Sequence, residues 1–200
     1  MFSGIVTELG SIVTVTAGAH GARMVLHAPA TAPAMRVGDS IAVNGVCLTA
    51  VALDGPRFTV ELVAETVTRT NLGELASGDS VDLERPLAAD GRFDGHVVQG
   101  HVDGTGCVAV VTDDGDGRRM RVAVEPGLAR YIAEKGSITI DGVSLTVTAV
   151  SQADDPWFEV ALIPHTLQVT VLGGRVPGDT VNLEVDIIAK YLERLLAART

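Results

Sequence analysis

The chain has 200 residues, 25 acidic and 15 basic, and its net charge of −10 repels phosphate backbones with no Lys/Arg cluster to offset it, which excludes nucleic acid as an expected partner. Cys47 and Cys107 lie in different halves with no CxxC spacing, so neither a disulfide framework nor a thiolate metal site is expected. The opening MFSGIVTELG has no basic region followed by an apolar core, and no apolar run reaches spanning length, so a soluble cytoplasmic protein with no membrane partner is expected.

In chain order, GSIVTVTAG, MVLHA, SIAVNGV, RFTVELV and SVDLERP are short, rich in Val, Ile and Thr, and separated by turn residues, which predicts strands. The junction PLAADGRFDGHVVQGHVDG breaks any element with Pro86 and four glycines. Its histidines, His96 and His101, are five apart, a spacing that in a strand sends them to opposite faces, and no Cys or carboxylate cluster completes a ligand set; no metal is expected. A second set of strand-like segments follows. Within it, PGLARYIAEKG (Pro126 to Gly136) starts on proline and stops at glycine, which predicts a short helix. At the end, Ile188, Tyr191, Leu192, Leu195 and Leu196 recur at helical spacing, which predicts an amphipathic helix whose stripe packs on another subunit or on its own barrel.

The second half repeats the first. At an offset of 96, Gly4, Val6, Gly10 and Met24 meet Gly100, Val102, Gly106 and Met120. At 97, Ser40 to Thr49 (SIAVNGVCLT) meets Ser137 to Thr146 (SITIDGVSLT) with six identities in ten. At 100, Phe58 to Glu84 meets Phe158 to Glu184 with 12 identities in 27, against roughly two by chance. The offset steps fall in loops such as LDGPR and SQADDPW, where insertions are tolerated. About six strands per copy and the need to remove edges favour closed barrels.

MFSGIV at the start, NGVCLT answered by DGVSLT, ETVTRTNLG answered by PHTLQVTVLG, and GHVVQGHVDG at the junction together resemble the riboflavin synthase family, alpha chain type, over essentially the whole length. The resemblance implies an all-β fold of two tandem homologous antiparallel six-stranded Greek-key barrels with a C-terminal α-helix: residues 1–96, 97–186 and, as a trimerisation helix, 187–200. It implies dismutation of two 6,7-dimethyl-8-ribityllumazine molecules to riboflavin and 5-amino-6-ribitylaminouracil, without a cofactor, between barrels of adjacent subunits in a homotrimer. A reaction that consumes two copies of one molecule calls for two similar pockets, which a duplicated barrel supplies. Association with a lumazine synthase shell stays open.

By the same resemblance the first barrel holds substrate with Gly4, Ile5 and Val6, with Ser40, with Cys47, Leu48 and Thr49, and with Glu61, Leu62, Val63, Ala64, Glu65 and Thr66. The second uses Gly100, His101 and Val102, Lys135, Ser144, Leu145 and Thr146, and Ala161, Leu162, Ile163, Pro164, His165 and Thr166. The two molecules must act differently, and the copies differ accordingly: Phe2 is matched by Val98, Ile5 by His101, Cys47 by Ser144, Glu65 by His165 and Pro86 by Asp186. Because a pteridine methyl group must lose a proton, the candidate catalytic residues are His101 as base or proton shuttle, Ser144 and Thr146 as hydrogen-bonding groups, Asp186 as an orienting carboxylate, Cys47 opposite them, and Phe2 as a ring-stacking group. On the residues alone, Cys47 reads as a small core residue, Ser144 and Thr146 as turn residues, Asp186 as a helix cap and Phe2 as a core anchor. Two departures from the family pattern are Ser3, where threonine is common, and His165 in the second ribityl segment, where glutamate stands in the first. Non-catalytic lumazine or flavin carriage, as a chromophore, is the alternative from another class.

Overall fold

The structure, a computed structural model, describes residues 1–151 and 155–197. Strands β1 (Glu8–Gly18), β2 (Gly21–His27), β3 (Ser40–Val43), β4 (Val46–Asp54), β5 (Arg57–Val63) and β6 (Ser80–Glu84) form a closed antiparallel barrel in the order β1-β2-β5-β4-β3-β6. Strands β7 (Gly104–Asp114), β8 (Gly117–Ala123), β9 (Ser137–Ile140), β10 (Val143–Val150), β11 (Trp157–Leu162) and β12 (Thr180–Val185) close a second barrel in the same cyclic order. The repeat reaches the irregularities: bulges at Ile12/Thr14 and Ala50/Ala52 recur at Val108/Val110 and Val147/Ala149. A bulge raises local twist, and recurring bulges bend both sheets toward closure at the same places. Inward-facing apolar residues fill each barrel, with Met24, Ile41, Phe58 and Leu83 in the first answered by Met120, Ile138, Phe158 and Leu183 in the second.

Among the described residues, four α-helices decorate the barrels. Helices α1 (Ala64–Arg69) and α3 (Pro164–Val169) follow β5 and β11, and neither was expected from the sequence. Ala64–Arg69 carries three β-branched residues and no side-chain cap, so its local signal is that of a strand; α3 does begin on Pro164, a helix-start signal. Conversely, α2 spans only Pro126–Ala129 rather than reaching Gly136. The chain leaves the helix because it must join the sheet: Lys135 donates its N–H to the Val147 carbonyl at 2.8 Å, and Val147 donates to Gly136 at 3.0 Å. Helix α4 (Ile187–Ala197) starts on Asp186, whose Oδ1 accepts from the Ile188 N–H at 3.0 Å, so Asp186 is its cap. The expected helix continued to residue 200; residues 198–200 lie outside the described residues, as do 152–154 in the SQADDPW loop.

The barrels meet across a pseudo-twofold axis on which repeat partners touch. Phe2 and Val98, matched at 96, pair with each other, each N–H donating to the other's carbonyl at 2.8 and 3.2 Å. Gly45 and Gly142, matched at 97, sit in contact: a Cβ on either would lie 2.7 Å from the other's backbone nitrogen. Both belong to tight turns with two successive positive φ angles, Asn44 and Gly45 at 45° and 77°, Asp141 and Gly142 at 49° and 84°. Residues that meet their own repeat partners lie on the axis.

Around this axis runs a buried polar network. Asn182 donates from Nδ2 to the Asn44 carbonyl (2.9 Å) and to Asn71 Oδ1 (2.8 Å), and its Oδ1 accepts the Asn71 N–H at 2.7 Å. The fully buried Asp141 accepts from Asn71 Nδ2, from the Asn182 N–H and from Arg175 at 2.6 Å. Asp82 stands where the second copy has Asn182; its Oδ1 accepts the Val171 N–H at 2.9 Å, but its Oδ2 is buried with no hydrogen-bond partner among the described residues. Burial raises the Asp82 acid well above the ordinary carboxylate range, and nearby Asp141 adds to this.

Candidate active site

Each NG/DG turn puts one small nucleophilic side chain two residues beyond the axis, at the start of β4 (Cys47) and β10 (Ser144). What completes each position comes from the other half of the chain. Cys47 donates its N–H to the Gly100 carbonyl at 2.8 Å, and Ser144 donates its N–H to Gly4 at 2.7 Å. Val102 packs against the first barrel's core and Val6 against the second's. The grouping expected from the sequence is therefore exchanged: Gly4–Val6 lies with the heptad that carries Ser144 (Ile140 to Thr146), and Gly100–Val102 with the heptad that carries Cys47 (Val43 to Thr49). The reason is the crossing bridge at Phe2 and Val98, which carries each leading segment across the axis before its own barrel begins.

Glycine is required at both crossings. At Gly4 (φ 79°) a Cβ would lie 2.5 Å from the Ser144 Cβ, and at Gly100 (φ 77°) 2.7 Å from the Cys47 Cβ. Each segment is fixed by a buried carboxylate from the last strand of its own barrel. Glu84 accepts the N–H groups of Ser3 (2.7 Å) and Gly4 (3.0 Å); Glu184 accepts those of Gln99 (2.7 Å) and His101 (2.8 Å). Burial pushes both acids up, and these hydrogen bonds pull them back down.

The Cys47 heptad opens on a cleft of about 380 Å³ lined by Val46, Cys47, Glu65, Thr66, Arg69, Thr70 and the segment Gly100 to Asp103. His101 is exposed there, and Glu65 pairs with Arg69 at 2.9 Å one helical turn on. Thr49, Glu61, Val63 and Ala64 present exposed side chains, while Leu48 and Leu62 are core residues whose contribution to a ligand is their backbone. Ser40 is half-buried and pairs with Thr49 across the β3–β4 ladder. On the second copy, Thr146, Ala161, Ile163, Pro164, His165 and Lys135 are exposed, Ser144, Leu145 and Thr166 half-buried, and Leu162 core. Lys135 holds φ 66°, and exposed Ile5 borders a further cleft of about 440 Å³ between the first segment and Arg85 to Asp94.

Phe2 is wholly buried with Ala42 and Val98, against half-buried Cys47. It is the core anchor of the axis, which leaves its ring no open face on which to stack a ligand. Asp186 caps α4, and its charge acts on His96.

Comparison with known proteins places this architecture. The lumazine binding domain family model matches residues 3–86 and 99–186, once per barrel. Riboflavin synthase of Actinobacillus pleuropneumoniae is 47% identical over 196 residues, covering 98% of this chain and 90% of that protein. The chain belongs to the riboflavin synthase family. Other riboflavin synthases are similar over the same span: that of Mycobacterium tuberculosis (strain ATCC 25618 / H37Rv) is 47% identical, covering 98% of each chain, and that of Bacillus subtilis (strain 168) 39%. The crystal structure of LumP complexed with riboflavin superposes with a TM-score of 0.85 at 26% identity, covering 92% of this chain and 99% of that one; LumP complexed with 6,7-dimethyl-8-(1'-D-ribityl) lumazine gives 0.83 at 25%.

Within this riboflavin synthase family chain, sequence reading passed over Glu84, Glu184 and His96. The first two are identical at an offset of 100 and buried, a combination that marks a carboxylate with a fixed partner. In the sequence His96 shows only the spacing that argues against a metal; in the fold it lies buried under the junction, its N–H on the Ser3 carbonyl at 3.1 Å and its ring on Ser144.

Proposed function

We propose that the protein is a riboflavin synthase, joining two molecules of 6,7-dimethyl-8-ribityllumazine by transfer of a four-carbon unit to give riboflavin and 5-amino-6-ribitylaminouracil. The observation that carries this is the duplicated half-site: two heptads, each completed by the other copy's leading segment, alike in framework and unlike in chemistry, Cys47 with Gly100 and His101 against Ser144 with Gly4 and Ile5. Equal frameworks bind two copies of one molecule; unlike side chains let one copy give carbon and the other receive it. Backbone N–H groups and the hydroxyls of Thr49, Thr66, Thr146 and Thr166 suit ring carbonyls and a ribityl chain. Holding two rings in reacting geometry supplies up to about 7–11 kcal/mol of the barrier, so positioning outweighs any single side chain.

The half-sites meet between subunits. The Cys47 cleft shares none of its lining with Ser144, Thr146 or His165, and the axis between the two heptads is filled by Phe2, Val98, Gly45 and Gly142. Bringing the rings face to face then calls for a second copy of the chain. Helix α4 offers the contact: its polar side is pinned to the second barrel by Glu193 with Tyr131 and Arg130 and by Lys190 with Asp103, which leaves Ile188, Tyr191, Leu192, Leu195 and Leu196 each more than half exposed. A homotrimer closed by these helices is the assembly we infer. Deleting 187–200 is expected to lower mass in sedimentation and activity together; a fully active monomer would overturn the shared site.

In the reaction, His101 above the Cys47 cleft and Ser144 with Thr146 opposite it are the groups placed to move protons. Ser144→Ala or His101→Gln is expected to lower kcat by about 10²–10⁴-fold while lumazine binding persists. Unchanged turnover in both would refute these roles. LumP is seen complexed with lumazine and with riboflavin, and the second reading is a binder of such molecules without turnover; lumazine that binds and stays unconverted would establish it.

A further inference from the structure

We propose that His96 is a positioning residue for Ser144, forming a proton relay that exists at the second heptad and not at the first. This rests on the riboflavin synthase reading and explains the exchange of cysteine for serine within it. His96 Nδ1 lies 2.7 Å from Ser144 Oγ, the only side-chain hydrogen bond that either group makes among the described residues. Its backbone is fixed by the bond to Ser3, and Gly95 holds the junction so close that a Cβ there would lie 1.9 Å from the Ser3 carbonyl and 3.2 Å from the Ser144 Cβ. The backbone that carries the ring is therefore held close against Ser144. Cys47, at the matching position, makes no side-chain hydrogen bond among the described residues. A thiol reaches its reactive form unaided far more readily than a serine hydroxyl, whose proton leaves only toward an adjacent base.

The tautomer that serves is the one with Nδ1 bare, accepting the Ser144 O–H; Nε2 then carries the proton in a buried position with no partner among the described residues. Burial keeps the imidazole neutral by lowering its basicity, while Asp186, the charged group that acts on it, opposes this; Glu84 stands one residue behind, on Ser3. When the pteridine methyl C–H breaks, its proton goes to Ser144 Oγ as the hydroxyl's own proton passes to His96 Nδ1. The electron pair stays on the ring. The imidazolium that forms lies close to Asp186 and returns its proton when the product forms.

The test is His96→Asn, in which the side-chain amide takes the place of Nδ1 and keeps a hydrogen bond to Ser144 but has no basic nitrogen. Riboflavin formation by the unaltered protein is measured first: its absence removes the parent reading and the relay with it. Given turnover, His96→Asn is expected to lower kcat about 10²-fold or more with KM little changed, and to remove the acid limb of the kcat–pH profile. The double variant with Ser144→Ala is expected to be no slower than Ser144→Ala alone, since His96 acts through that hydroxyl. Near-full kcat in His96→Asn, or additive losses in the double variant, would overturn the relay while leaving the riboflavin synthase reading intact. His96→Gln, which loses the Nδ1 mimic, is a parallel test should the Asn form not fold; retention of the acid limb in it counts equally against the proposal.

Discussion

Gly142→Ala is expected to destabilise the protein by about 2–5 kcal/mol and to abolish riboflavin formation with it. A residue with a Cβ at φ 84° costs about 1–2 kcal/mol, and a methyl forced to 2.7 Å from the Gly45 nitrogen adds about 1–3 kcal/mol of overpacking against backbone that has nowhere to move. The clash sits on the axis, so both heptads shift at once. Gly178→Ala is the control: it shares a positive φ, 101°, but its Cβ would meet nothing within 4 Å, so only the strain remains. Denaturant unfolding separates the two. Equal, small losses in both variants would show that the barrels are not locked through these turns.

Asp82→Asn is expected to raise stability at neutral pH, and by more as pH rises. Internal symmetry is the argument. Asn182 Nδ2 donates to the Asn44 carbonyl, and Asp82 Oδ2 occupies the corresponding place on the other side of the axis, buried and without a donor. A carboxylate oxygen there is satisfied only when it carries a proton. The single cation in the network, Arg175, is already held by Asp141. The folded state thus raises the Asp82 acid above its unfolded value. A raised acid binds its proton more tightly when folded, so its stabilising contribution is complete below the unfolded value near 3.8 and is lost as pH climbs through the folded one. Each unit of that shift is worth about 1.4 kcal/mol. Asparagine makes the donor permanent, so the variant's stability should fall less than that of the unaltered protein as pH climbs above the unfolded value near 3.8. An equal fall in the two proteins would mean that Asp82 is ionised in the fold.

Much of this was legible in the residues. The offsets of 96, 97 and 100 announced two like barrels, and the strands from Glu8 to Glu84 and from Gly104 to Val185 follow the predicted segments closely. Apolar alternation and paired turns are local, and local signals survive into sequence. What was not legible is what depends on the axis. Nothing in GIV or GHV says that each segment crosses to the other copy's heptad; that follows from the Phe2–Val98 bridge, a contact between residues 96 apart. His96 was lost for the same reason, since its partner Ser144 is 48 positions away. Phe2 and Asp186 took the plainer of the readings open to them, as core anchor and helix cap. The two short helices after β5 and β11 were hidden because Ala64–Arg69 and Pro164–Val169 are too short and too rich in β-branched residues to declare themselves.

The central claim, that two alike but unequal half-sites serve one reaction between identical molecules, is tested most directly by incubating the pure protein with 6,7-dimethyl-8-ribityllumazine alone and separating the products. The account predicts one riboflavin and one 5-amino-6-ribitylaminouracil for every two lumazines consumed, with nothing else added. Lumazine that binds and persists unchanged, or riboflavin that appears only when another reactant is supplied, would contradict it.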